Sequence, residues 1–393
     1  DLWWDSGNGK LYRYINNEFK EITSEIRVVE NSYGDRGFVA GGNAANNNID
    51  YYDITTLGNT SDFGGLTRDF QRGAGASSGT RALFMGGGNS TTSGNRIHFT
   101  ANYTNTIDYI TCATTGNATD FGDASSVSID SSATSDGVTA VHYLSVINGV
   151  NPGTNSNILD KVTIATTGNA TDFGDLGSIG WVNADVGVSN NTRGLFAGGA
   201  GYSNPWAATN PIHYITIATP GNSTDFGDLT VARYGAPGVG GGTSDRGIWA
   251  GGYTTSYVTS IDYVTISTTG NAQDFGDLSN QGRALGSASN STRGIFAGGY
   301  VVPGVTTNTI QFITIASRGN TQDFGDLITA RRDGSAVASS TRMVVGTGYD
   351  GSSYYQALDS IEFLSTGNSV DFGDISNSAK FRSTGTSNGH GGL

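Results

Sequence analysis

The tripeptide Asp-Phe-Gly occurs seven times in this chain, beginning at Asp62, Asp120, Asp172, Asp225, Asp274, Asp323 and Asp371, at steps of 58, 52, 53, 49, 49 and 48 residues. Self-similarity at a fixed period constrains a fold more than any local propensity. Each copy has to be one supersecondary unit that buries its apolar face against its neighbours. A period near 50 residues is too long for most helical solenoids. Composition agrees: 60 Gly against 6 Pro, with 14% charged residues, describes a turn-rich β chain.

Four strand-sized segments recur in each unit, here named a to d from the axis outward. Around the fifth and sixth units they read Ile261-Asp262-Tyr263-Val264-Thr265-Ile266 (c), Asp274-Phe275-Gly276-Asp277-Leu278 (d), Ala284-Leu285-Gly286-Ser287-Ala288 (a) and Arg293-Gly294-Ile295-Phe296-Ala297-Gly298-Gly299 (b). Seven repeats of four antiparallel strands imply an all-β fold, a seven-bladed β-propeller with four-stranded blades, preceded by a small N-terminal β segment. The expected domains are 1–26, an anchor or oligomerisation segment, and 27–393, the propeller.

Spacing separates the fixed parts from the variable ones. From Asp50, Asp108, Asp160, His213, Asp262, Gln311 and Asp359 on strand c to the following Asp-Phe-Gly is always 12 positions, across a turn that carries Gly-Asn in all seven units. Arg36, Arg81, Arg193, Arg246, Arg293 and Arg342 each open strand b, six residues before a glycine. The third unit departs, with Tyr143 before Gly149. The b–c connections run instead to 6, 19, 9, 12, 8, 10 and 9 residues. In an antiparallel blade the a–b and c–d turns share one face and the b–c and d–a loops the other, so one face is uniform and one variable.

Strand a has to be small-residued where seven copies converge. For the first blade, residues 27–33 are bulky, whereas Ser383-Thr384-Gly385-Thr386-Ser387 is small. Closure by a C-terminal strand at about 380–388 is therefore expected, which removes a free sheet edge.

The variable loops carry His98, Phe99, Tyr103, Tyr202, Trp206, Tyr300, Tyr349, Tyr354 and Tyr355 among Asn, Ser, Thr and Gly. Rigid rings among small adaptable polar residues resemble a recognition surface for sugars or protein. The chain enters strand b on the uniform face, so an anchor at residues 1–26 is expected to leave these loops pointing away from whatever holds it.

Other chemistry is weaker. A net charge of -13 opposes nucleic-acid and anionic-membrane binding. No apolar run approaches the roughly 18 residues of a membrane span. The lone Cys112 reads as a small buried hydrophobe, and the four His lack metal-ligand spacing. Asp-Phe-Gly-Asp, in six units, offers paired carboxylates of a kind calcium uses. The expected role is instead a structural ring of ion pairs between these Asp and the strand-b Arg. No catalytic residue, metal or cofactor is expected, and glycoside hydrolysis would need two unique carboxylates in one pocket, which nothing among Asp185, Asp333 and Asp350 pairs in sequence.

The Gly-Gly ending strand b, the strand-c aromatics Tyr109, Tyr214, Tyr263 and Phe312, and the seven strand-d Phe resemble the kelch repeat over about 90% of the chain. The chain departs from that pattern in having Phe where kelch strand d usually has Trp, and in lacking a clean Gly-Gly in the third and seventh units. The Gly-Asn-to-Phe-Gly-Asp-Leu stretch is also similar to propellers of the chromosome-condensation regulator type. At the N-terminus, Leu2-Trp3-Trp4-Asp5-Ser6-Gly7-Asn8-Gly9-Lys10-Leu11-Tyr12-Arg13-Tyr14 resembles a short aromatic β-motif of tailed-phage fibre and appendage proteins. Together these resemblances imply a non-enzymatic virion structural or adhesion protein at a virion surface or outside the cell. Its implied partners are other virion proteins through residues 1–26, a host-surface glycan or protein, or a second copy of itself. A secreted lectin-like or glycan-processing propeller is the alternative.

Overall fold

The computed structural model describes residues 2–5, 10–15, 18–21, 34–42, 46–89, 102–147, 154–177, 187–201, 207–240, 245–377 and 380–388. The chain divides into two compact units, 1–30 and 31–393. The first is a three-stranded antiparallel sheet of Leu2–Asp5, Lys10–Ile15 and Glu18–Glu21, with Trp3 opposite Tyr12 and Tyr14 opposite Phe19. The Trp-rich and alternating strands thus pair as a meander.

The second unit is all β, with no helix among the described residues. It holds seven sheets whose main path is four antiparallel strands in the order a-b-c-d. The first sheet comprises Thr384–Ser387, Arg36–Ala40, Asn48–Asp53 and Ser61–Gly65. The pairing of Thr384–Ser387 with Arg36–Ala40 joins the C-terminal strand to the first b-strand; residues 27–33 lie outside the described residues. The other a-strands are Ala74–Ser77, Ser132–Ser135, Gly187–Ser189, Gly238–Gly240, Gly286–Ser289 and Ser335–Ala338. Each lies against the a-strand of the next sheet, and Thr384–Ser387 lies against Ala74–Ser77.

Burial follows strand position. After its opening residue, strand b is buried on both faces, which explains its continuous apolar runs. Strand d buries its Phe, while both neighbours on the N-terminal side stay exposed. The Phe rings pack edge-on against the strand-c aromatics, as in Tyr109–Phe121 and Phe312–Phe324 at 5.9 and 5.7 Å.

The Gly-Asn turn joins each sheet to the one before it. Its Gly N–H donates to the carbonyl of the preceding sheet's strand-d Phe at 2.6–2.7 Å in all seven cases, and the series returns to its start where Gly58 meets Phe372. The Asn Oδ1 accepts a backbone N–H from the same strand at 2.9–3.1 Å, again seven times. This contact explains the Gly of Asp-Phe-Gly. At Gly64, φ is +140° and a Cβ would strike the Gly116 carbonyl, and the other six copies are alike. The turn also covers the open edge of strand d.

The expected ring of ion pairs between the strand-b Arg and the Asp-Phe-Gly Asp gives way to a different arrangement. Arg36, Arg81, Arg193, Arg246, Arg293 and Arg342 each reach the following sheet, donating from Nη1 to a carbonyl at the end of its strand c at 2.6–3.1 Å. All but Arg342 also cover the aromatic of their own strand c at 4.4–5.0 Å, while Arg342 pairs with Glu362. The reason is position: these Arg open strand b beside the next sheet's c–d turn, whereas Asp62, Asp120, Asp172, Asp225, Asp274, Asp323 and Asp371 sit exposed on the outermost strand. Asp62, Asp120, Asp172 and Asp371 accept from the glycine N–H two residues on.

The buried anions are the strand-c acids. Asp50, Asp108, Asp160, Asp262 and Asp359 are fully buried. Each lies under the linker that leaves strand d of the preceding sheet. For all but Asp359, a Ser or Thr five residues after the Asp-Phe-Gly Asp donates to it, as Thr67 does to Asp108 and Ser376 to Asp50 at 2.7 and 2.6 Å. A cation further along completes the pair in four cases: Arg68–Asp108, Arg233–Asp262, Arg331–Asp359 and Lys380–Asp50.

Candidate functional site

The seven a-strands surround a central cavity of about 430 Å³ lined by Gly, Ala, Ser, Thr and Val. At one mouth, Arg72, Asp130, Ala284, Asp333 and Arg382 all have left-handed backbone, with φ between 52 and 59°. They are linked head to tail: Asp130 N–H donates to Arg72 O, Arg72 to Arg382 O, Arg382 to Asp333 O and Asp333 to Ala284 O, at 2.9–3.3 Å. Each of these residues ends a d–a linker, so the linkers converge on this mouth.

Immediately outside it the linkers meet the b–c loops. The first glycine after strand b reverses the chain, with φ of 63° at Gly251 and 65° at Gly298, and a Cβ there would strike the carbonyl of Gly282 or Arg331. The next few residues therefore run alongside the linker. Tyr253 bridges Tyr234, Tyr300 pairs with Arg283, and Tyr349 bridges Arg332.

The outcome is a crescent of rings and guanidinium groups. Tyr253, Tyr257 and Tyr300 contact in sequence at 5.1 and 5.9 Å. Arg283 covers Tyr253 and Tyr257 at 5.5 and 5.7 Å. Arg332 bridges Tyr300 and Tyr349, at 4.5 and 5.3 Å. Tyr349, Tyr354 and Phe381 close the far end with centroids 5.0–5.6 Å apart. The tyrosines and both arginines are half-buried.

Of the residues expected from sequence, Tyr300, Tyr349 and Tyr354 lie in this crescent. Tyr355 flanks it, 5.6 Å from Arg331, and donates to Asp350 at 2.5 Å. Tyr103 belongs elsewhere: strand c of the second sheet starts at Asn102, and Tyr103 pairs there with Gly88 instead of standing in a loop. His98, Phe99, Tyr202 and Trp206 lie outside the described residues. Sequence reasoning passed over Tyr253, Tyr257, Arg283, Arg332 and Phe381. The available signal was a Tyr directly after the glycines of strand b in three successive units, and Arg-Arg at 331–332.

The acids nearby are engaged. The Tyr355 hydroxyl, with the Ser353 and Ser352 N–H groups, holds the Asp350 carboxyl well below its ordinary range. Asp130 pairs with Arg72, and Asp333 lies 3.8 Å from Arg332. Burial pushes the Cys112 thiol up to about 12 and the His142 imidazole down to about 3, so neither is a ready nucleophile or base. Among the described residues no three His, Cys, Asp or Glu side chains are grouped to hold a metal ion. Compared with known proteins, the chain matches no family model and no curated protein.

Proposed function

We propose that residues 31–393 form a seven-bladed, kelch-like β-propeller that serves as a non-enzymatic adhesion or decoration module of a phage-type particle, with the N-terminal β-meander as its attachment to other virion proteins. The inter-sheet hydrogen bonds that return from Phe372 to Gly58 support the propeller reading. The Trp-rich N-terminal motif supports the phage reading. One observation carries the binding role: the strand-b Arg, the Gly-Asn turns and the strand-c acids are engaged between sheets, whereas the Tyr and Arg of the crescent are half-buried and lie outside those contacts. Such rings offer flat apolar faces to the C–H faces of sugars, and the guanidinium edges offer donors to hydroxyls.

A secreted lectin-like propeller would use the same crescent. Its glycan-processing form is less favoured, because Asp130, Asp333 and Asp350 already have partners. Glycan-array and host-cell binding by the whole chain, with Tyr300→Ala and Tyr349→Ala as comparisons, tests the adhesion role. Saccharide binding lost in both folded variants supports it; a reducing-sugar product released by the purified protein would replace it with the enzyme.

A further inference from the structure

We infer that the crescent recognises carboxylate-bearing glycans, through Arg283 and Arg332 held as two anion receptors between tyrosines. This rests on the adhesion reading and narrows it to a ligand class.

Of the eight cations of the described d–a linkers, Arg382 lies over Phe381, and the other seven divide into two kinds. Arg68, Arg72, Arg233, Arg331 and Lys380 each pair with a buried Asp and hold sheets together. Arg283 and Arg332 are built differently. Their planes cover tyrosine rings, and among the described residues the Arg283 guanidinium makes no hydrogen bond. Arg332 has only the loose contact to Asp333 at 3.8 Å, and its Nε is buried without a partner. Asp350, the other acid of the crescent, is occupied by its own loop. A guanidinium stacked on aromatic rings loses rotational freedom but keeps its in-plane N–H groups, the geometry that binds a carboxylate through two parallel hydrogen bonds.

Charge placement adds to this. The protein is acidic overall, with a net charge of -13, and its Asp-Phe-Gly acids stand exposed on the outermost strands, whereas Arg283 and Arg332 lie in the linkers. Because Arg283 and Arg332 lie on successive linkers with Tyr300 contacting both sides, they can engage two acidic residues of one glycan chain while Tyr300 stacks on the sugar between them.

The test is calorimetric titration of the full chain with tetragalacturonate and sialyllactose, each beside its methyl ester. At least one acid should bind at least tenfold more tightly than its ester, and Arg283→Gln or Arg332→Gln should each weaken that acid about tenfold or more, with Tm unchanged as the check on folding. Added salt should weaken the acid and leave the ester unaffected. Equal binding of acid and ester, or undiminished binding by both Gln variants, overturns the proposal while leaving glycan adhesion standing. If neither acid binds, the proposal also fails. In that event array binding that survives Tyr300→Ala and Tyr349→Ala removes the crescent from adhesion as well.

Discussion

Lys380 offers the sharpest test of how the second unit is held closed. Its ammonium lies 2.6 Å from Asp50 Oδ2, with both side chains fully buried, and donates to the Asn48 carbonyl at 3.1 Å. It stands on the linker from the seventh sheet to Thr384–Ser387, the strand that completes the first sheet. Lys380→Met keeps most of the apolar volume and deletes the charge. Asp50 is then left buried with only uncharged donors, from Ser376, Thr60 and Asn377. Removing one partner of a buried pair costs about 3–5 kcal/mol. For a unit of residues 31–393, with an unfolding entropy of about 2 cal/mol/K per residue, that loss lowers Tm by about 5 °C.

The pH dependence makes this prediction specific. Burial alone would raise the Asp50 carboxyl, but Lys380 and the surrounding hydroxyls hold it below its ordinary value. A depressed folded-state pKa gives stability that is present above about pH 4 and lost as pH falls through the folded value. Without Lys380 the sign reverses. Burial raises the carboxyl in the variant, so its deficit is largest near neutrality and shrinks toward about pH 4.5, where Asp50 takes up a proton. Calorimetric unfolding at both pH values reads this directly. A deficit below about 1 kcal/mol at neutral pH, or one equal at both, refutes the pairing argument. Asp50→Leu combined with Lys380→Met should recover more than half the loss, since no charge remains buried.

His142 occupies a strand-b position filled elsewhere by Val39, Phe84, Phe196, Trp249, Phe296 and Val345, and among the described residues neither ring nitrogen has a hydrogen-bond partner. With its folded pKa lowered to about 3, it withdraws stability as pH falls below about 6.5, by about 2–3 kcal/mol at pH 4.5. His142→Phe should flatten that part of the urea-unfolding profile, and an unchanged slope between pH 7 and 4.5 would count against the assignment. Gly276→Ala places a methyl against the Gly319 carbonyl at a φ of +149°, and should cost at least 2–3 kcal/mol in chemical denaturation. The His213 ring fills the space a side chain at position 177 would need. Gly177→Ser should therefore destabilise by about 1–3 kcal/mol alone, and adding His213→Asp should reverse it by restoring the Ser–Asp contact of the other sheets. A double variant no more stable than Gly177→Ser alone would show the two sites to be independent.

The fixed 12-residue step from strand c to Asp-Phe-Gly made the strand register legible, because a repeated turn leaves no room for slippage. The small side chains of residues 383–387 likewise marked an innermost strand. What escaped was the set of partners. Repetition shows that positions are equivalent, and says nothing about which neighbouring sheet a side chain meets. The strand-b Arg and the Asp of Asp-Phe-Gly look complementary within one unit. In three dimensions the Arg lies over its own strand-c ring and points to the next sheet, while the Asp faces outward. The crescent was half visible. Tyr300, Tyr349 and Tyr354 were legible as loop aromatics, but Arg283 and Arg332 lie in linkers and come beside those rings only because the glycines after strand b turn the loops back.

Departures from the repeat fall into two kinds, and the distinction separates scaffold from site. Where strand c has His213 in place of Asp, the facing linker residue is Gly177 in place of Ser or Thr. Where strand c has Gln311, Ser279 still donates to it, at 3.0 Å. Where the linker has Ile328, Asp359 loses the hydroxyl but keeps Arg331 at 2.8 Å. The first two of these departures are matched by a neighbour inside the interface, and all three lie within the packing between sheets. The tyrosines after the glycines of strand b, and Arg283 and Arg332 opposite them, pack on one another outside those interfaces and are half-buried. The crescent lies outside the contacts that hold the sheets together, and for that reason the proposed binding role is placed there and not in the cavity or at the repeated Asp.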